Sequence, residues 1–153
     1  METSPGARLA LLLLGGFDAM VEQVVAELAA AGHPGVSASL EFALRAIDTG
    51  ADDASALGRR LGVSRQAAAK SIAALADLGY VERLDDPEDA RRKRLRVTAR
   101  GHEMSAIGGA AFDALRERWR TTIGTEQLER TEAALLELTG GRLHDDRGPG
   151  GAP

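Results

Sequence analysis

The chain has 153 residues, enough for one domain with its own core, and no cysteine. Disulfides, zinc–thiolate sites, thiol catalysis and cysteine-based peroxide sensing are therefore excluded, while the 3% aromatic content favours small-residue helices over a β-sandwich. The net charge of −4 hides an uneven distribution: residues 1–58 carry two cations and eight anions, residues 59–100 eleven and six, and residues 101–153 six and nine. Positive charge collects in the middle, as expected if one face meets phosphate and the rest stays acidic. A solvated charged hairpin would give the same count.

From about Ala7 to Ala31, apolar residues recur at helical spacing (Leu14, Phe17, Val21, Val24, Val25, Leu28), and Gly32, Pro34 and Gly35 end the helix. Gly15-Gly16 costs this helix about 1 kcal/mol per glycine relative to alanine and favours a local bend. The apolar run from Leu9 to Leu14 is too short for a secretory signal and leads into Asp18 and Glu22 rather than a cleavage site. No stretch approaches the ~20 apolar residues of a membrane span, so a soluble cytoplasmic protein is expected.

A second helix is expected from Ser37 or Ser39 to Ile47, with Leu40, Leu44 and Ile47 on one face and Asp48-Thr49-Gly50 closing it. Asp52 or Asp53 can cap a third, Ala54–Leu61, and Ser64 a fourth, Arg65–Leu78, across a turn at Gly62. On the fourth helix Ala68, Ile72, Leu75 and Ala76 share one side; Arg65, Gln66, Ala69, Lys70 and Ala73 share the other. Two helices joined by a tight glycine turn, the second with a bare polar face, form a helix–turn–helix pattern.

Tyr80–Leu84 and Arg94–Thr98 read as a β-hairpin whose long Asp/Pro-rich connection projects as a loop. Thr98 can cap a fifth helix through about Arg120, and Thr125 can start a sixth bearing Leu128, Leu135 and Leu138. Beyond Gly140 the chain turns Gly-, Pro- and Asp-rich, and residues 144–153 are expected to be a disordered tail.

The segment from Ser55 to Gln66, the run Gly79-Tyr80-Val81-Glu82-Arg83, and Asp86-Pro87-Glu88-Asp89-Ala90-Arg91 followed by Leu95-Arg96-Val97-Thr98 and Gly101 together resemble the MarR family of transcription regulators. The likeness covers about residues 8–140. It implies a mainly α (α+β) fold in a single domain over 1–143: a winged helix–turn–helix at about 37–100, flanked by dimerisation helices at about 8–31 and 99–140. It also implies a homodimer that presents one winged element per subunit to double-stranded DNA. Glu41 stands where the family often has glutamine, and the glycine pair is unusual for its first helix.

On that reading Ser64, Arg65, Gln66 and Lys70 face the major groove, Arg65 able to pair with guanine and Gln66 with adenine. Ala67, Ala69 and Ala73 offer only small apolar contacts, so DNA shape must supply part of the specificity. Arg91 matches the family's minor-groove arginine, and Asp89 would orient its guanidinium or brace the loop. Arg92, Lys93 and Arg94 would engage flanking phosphates.

His33, His102 and His144 lack metal-ligand spacing, and no nucleophile triad or phosphate loop occurs, so neither an enzyme, a metal nor a cofactor is expected. The leading function is a repressor of palindromic operators released by a small molecule. The alternative is a winged-helix module for protein contact or DNA architecture without a defined operator. The resemblance favours a phenolic or other aromatic anion as effector. No ligand-binding residue is assigned, although Phe17, His33, Phe42, Arg45, Phe112 and Trp119 could line a cleft between the winged element and the terminal helices.

Overall fold

A computed structural model describes residues 3–142; the expected disordered tail at 144–153 lies outside the described residues. Six helices and two strands follow in the order α1 (Pro5–Ala30), α2 (Ala38–Asp48), α3 (Ala54–Leu61), α4 (Arg65–Asp77), β1 (Val81–Asp85), β2 (Lys93–Val97), α5 (Ala99–Ile123) and α6 (Thr125–Leu138). The fold is mainly helical with a two-stranded antiparallel wing, as the sequence led us to expect.

Five of the six helices start where a short polar side chain accepts a backbone N–H of the first turn. Ser4, Ser37, Asp53, Ser64 and Thr98 receive those of Ala7, Leu40, Ala56, Ala67 and Gly101. Each such cap contributes about 1 kcal/mol and fixes where its helix begins. Only α6 lacks a side-chain cap; it begins after Gly124.

The strands pair from Val81 opposite Val97 to Asp85 opposite Lys93. Tyr80, expected in the first strand, lies just before it: its N–H donates to Leu75 O, its carbonyl accepts from Thr98 N–H, and its ring is fully buried. It acts as the joint between α4 and the hairpin. The central core gathers Leu28, Leu44, Leu57, Leu75, Tyr80 and Met104, so α1, α2, α3, α4, the hairpin and α5 all contribute. Gly101 permits the closest approach within it. A β-carbon there would stand 2.4 Å from Tyr80 O and 2.7 Å from Val97 Cγ1.

The first helix runs without interruption through Gly15-Gly16, so the pair does not break it. One expectation is corrected here. Helix α1 is, by length and composition, apolar enough to cross a membrane, because its 26 residues extend the short leucine run through glycine and alanine. Near its C-terminal end, however, α1 sends Val24 and Leu28 into the core. Its N-terminal half leaves Leu9, Leu11, Leu12, Leu14 and Phe17 exposed, as are Trp119 on α5 and Leu135, Leu136 and Leu138 on α6.

Candidate nucleic-acid interface

Helices α3 and α4 meet across Gly62, whose φ of +68° lets the chain reverse within a few residues. Gly58 lies under the same turn, where a β-carbon would sit 3.0 Å from Val63 O. This tight corner sets the direction of α4. Ala68, Ile72 and Leu75 face inward, while Arg65, Gln66, Ala69, Lys70 and Ala73 are exposed, the two sides expected from spacing. Among the described residues, the side chains of Arg65, Gln66 and Lys70 have no hydrogen-bond or ion-pair partner. Ser64 Oγ accepts the Ala67 N–H at 3.1 Å, which leaves its hydroxyl proton available to a second acceptor.

The wing tip is held by two aspartates. Asp86, only 5% exposed, accepts the Glu88 N–H at 2.9 Å through one carboxylate oxygen and Arg94 Nε–H at 3.0 Å through the other. The backbone N–H of Glu88, followed by the Arg94 guanidinium, holds the Asp86 carboxyl below the usual carboxylate range. Asp89 Oδ1 accepts the Arg91 N–H at 2.9 Å, and its carbonyl accepts the Arg92 N–H at 3.0 Å. Asp89 thus holds the backbone of the loop, and among the described residues its carboxylate makes no ion pair with Arg91.

The four consecutive cations of the wing have unequal surroundings. Arg92 bridges Asp52 at 3.2 Å and Asp53 at 3.0 Å, tying the hairpin to the start of α3. Lys93 pairs with Asp85, and Arg94 with Asp86. The Leu95 N–H donates to Asp52 O at 3.1 Å, a backbone bond that reinforces the same seam. Among the described residues only Arg91, of these four, has no acidic partner. Asp52, Asp53, Asp85 and Asp86 thus take up the charge of Arg92, Lys93 and Arg94. The Arg92 and Lys93 pairs are open to solvent, and such bridges contribute only about 0–1 kcal/mol, so phosphate can compete for those two; the acid partner of Arg94 is buried.

The residues considered for an effector cleft are only partly brought together. Phe17 and Phe42 stack with ring centroids 6.2 Å apart. Phe42 and Phe112 line a narrow crevice between α1, α2 and α5 with room for about one water. Phe112 also lines a larger apolar groove with Phe17, Trp119, Leu12 and Leu135. Arg45 sits beside this region, its Nη2 donating to Glu41 Oε1 at 2.8 Å. His33 lines neither cavity: it is buried, its Nδ1 3.1 Å from Tyr80 Oη, at the joint that Arg100 covers.

Sequence reasoning passed over several of these partners. Asp52 was weighed only as a helix cap, and Glu41 only as a departure from a family pattern. No spacing signal marks Glu41, since Arg45, four residues on, and Asp48, seven on, are both exposed.

Residues 42–92 match the MarR family model. No curated protein sequence matches the chain. Among solved structures, the fold is similar to the reduced form of MarR from E. coli (20% identity, 90% of this chain and 98% of that one, TM-score 0.70). It is similar too to Streptococcus pneumoniae FabT in complex with DNA (20%, 87% and 94%, 0.69). A third likeness is to the PcaV transcriptional regulator from Streptomyces coelicolor in complex with its natural ligand (19%, 90% and 93%, 0.64). The winged segment of this chain thus carries the sequence pattern of the MarR family, and the chain as described has the fold of MarR-family transcription regulators.

Proposed function

We propose that this chain is a homodimeric, sequence-specific DNA-binding transcription regulator, a cytoplasmic repressor of imperfectly palindromic operators that a small molecule releases. The observation that carries this reading is the unpartnered polar face of α4, with Arg65, Gln66 and Lys70 exposed, on the same winged element as unpaired Arg91. A helix of this kind enters the major groove with its N-terminal side chains on base edges, and a wing arginine suits the narrow minor groove beside it. Ser64 and the first-turn N–H groups of α4 suit a phosphate oxygen. Arg92 and Lys93 reach flanking phosphates by exchanging their present acid partners, and Arg94 through the guanidinium donors that Asp86 leaves free.

Dimerisation is supported by the exposed apolar side chains of α1, α5 and α6, Leu12, Trp119 and Leu136 among them, more than an isolated protomer of this size leaves in water without cost. Engaging successive major grooves then requires a two-fold axis that sets the two α4 helices about 34 Å apart, one turn of B-DNA. Support for DNA and effector as partners comes from the FabT structure in complex with DNA and the PcaV structure with its natural ligand.

Selection from random duplex DNA, together with light scattering on the free protein, tests the proposal. The expected result is a dimer that enriches an imperfect palindrome with half-sites about 10 base pairs apart. Monomers that enrich no sequence would instead support the winged-helix module for protein contact or DNA architecture, the reading the alanine-rich outer face of α4 favours.

A further inference from the structure

The C-terminal ends of α1 and α4 share one cation, and it comes from neither helix. Neither has a basic residue in its last turn. Arg100, near the start of α5, supplies the charge to both. Its Nη2 donates to Gly32 O at 3.0 Å just past α1, and its Nε to Leu78 O at 3.3 Å at the end of α4. Carbonyls at and just past a helix C-terminus have no intrahelical partner, and the helix dipole favours a cation there. The same guanidinium lies 5.3 Å from the centroid of the Tyr80 ring.

A second tie lies beside it. His33, 1% exposed, follows Gly32, and its Nδ1 stands 3.1 Å from Tyr80 Oη. Its Nε2 is 3.7 Å from Oε2 of Glu103, about one turn along α5 from Arg100. Tyr80 joins α4 to the wing, so these contacts gather the end of α1, the start of α5 and the joint of the reading element at one place. Helix α4 itself packs on α2, α3 and β1 and hardly touches α1 or α5. Its bearing relative to those two helices is therefore set through α2 and through this cluster.

We infer that Arg100, with His33 and Tyr80, latches the DNA-reading element to the dimerisation helices and so fixes the separation of the two α4 helices in the dimer. The inference rests on the proposed function and adds positioning residues to it. A base pair added between half-sites turns one of them by roughly 35° about the duplex axis. A latched pair of reading helices cannot follow that rotation, whereas a loosened pair can.

The chain has no cysteine, so spin labels can be placed at chosen sites. Labels on Gln23→Cys in α1 and Ala73→Cys in α4, both exposed, report the distance between these regions in the DNA-free protein. Excess unlabelled chain restricts the signal to pairs within one chain. Arg100→Met keeps the aliphatic stem and removes the donors; Tyr80→Phe removes only the hydroxyl that meets His33. One narrow distance is expected in the otherwise unaltered chain, and a broader or shifted distribution in each variant. A second measurement uses duplexes carrying the enriched half-site in pairs, at the preferred separation and one base pair to either side. The unaltered protein should lose on the order of a hundredfold in affinity at the wrong separations, and Arg100→Met less than about tenfold, with affinity for a single half-site unchanged. Equally narrow distances in both folded variants overturn the latch. A broadened distribution with the spacing preference intact, or a loss that falls equally on the single half-site, overturns its role in setting the separation. A chain that enriched no operator would sink the proposed function, while the label distances would still decide for or against the latch.

Discussion

Arg91 and Arg92 are neighbours in sequence, yet their surroundings give them different work. Arg92 closes the wing onto α3 through Asp52 and Asp53, whereas Arg91 has only its backbone held, by Asp89, and its guanidinium free. Arg91→Ala should therefore weaken operator binding, lower the slope of log K against log salt by about one unit, and leave thermal stability unchanged. Fluorescence anisotropy across a salt series and a melting curve read both; an unaltered slope would remove Arg91 from the interface. Asp86 behaves differently again. Its carboxyl is held low in the folded chain, so its contribution to stability is complete above the ordinary carboxylate pKa of about 3.9 and disappears as pH falls through the lower folded value. Asp86→Asn should accordingly cost stability at pH 7 and cost progressively less in the acid limb, where denaturant titrations at several pH values would show the two curves converging.

At the level of single elements, Gly101 makes the sharpest case. With a β-carbon the residue would drive into Tyr80 O and Val97 Cγ1, so Gly101→Ala must separate α5 from the hairpin or distort Tyr80. Overpacking of this kind costs about 1–3 kcal/mol, and the melting temperature should fall by several degrees. The sequence already placed this glycine at the end of the wing motif, although not the reason for it, which is a contact across twenty residues. Helix positions were legible in the same way. The residues that stop and start helices act locally, so Asp53, Gly62, Ser64 and Thr98 set boundaries within a residue or two of those expected. The exposed and buried sides of α4 also followed from spacing alone. What the sequence could not show was pairing between distant segments. Arg92 reaches acids some forty positions earlier, and His33 meets Tyr80 forty-seven positions later. A run of four cations therefore read as one strip, whereas the fold distributes it among separate partners. The burial of Glu41 was hidden for the same reason, since only the packing of α1 and α5 over α2 encloses it.

For the molecule as a whole, the proposed dimer rests on the apolar surface at the ends of α1, α5 and α6. Leu12 and Leu136, 62% and 43% exposed in the single chain, are the residues a partner would cover. Leu12→Glu combined with Leu136→Glu should yield a folded monomer by light scattering, and operator affinity should drop steeply because two weakly held half-sites replace one linked pair. A double variant that remained dimeric would place the two-fold axis elsewhere. On the proposed reading, the acidic ends of the chain, set against a basic centre, would leave such a dimer one face that attracts DNA and a remaining surface that repels it.

Helix α5 joins these regions mechanically. Pressed against the hairpin at Gly101, it packs along α1 past Phe112 and ends near the groove that holds Trp119. For a stiff rod pivoting at Gly101, Phe112 lies about 16 Å along and Ile123 about 33 Å, so sideways motion at the first is roughly doubled at the second. A shift of half an ångström at Phe112 would then become about one at the far end, where α6 follows. The missing methyl group of one glycine thus gives the molecule its fulcrum.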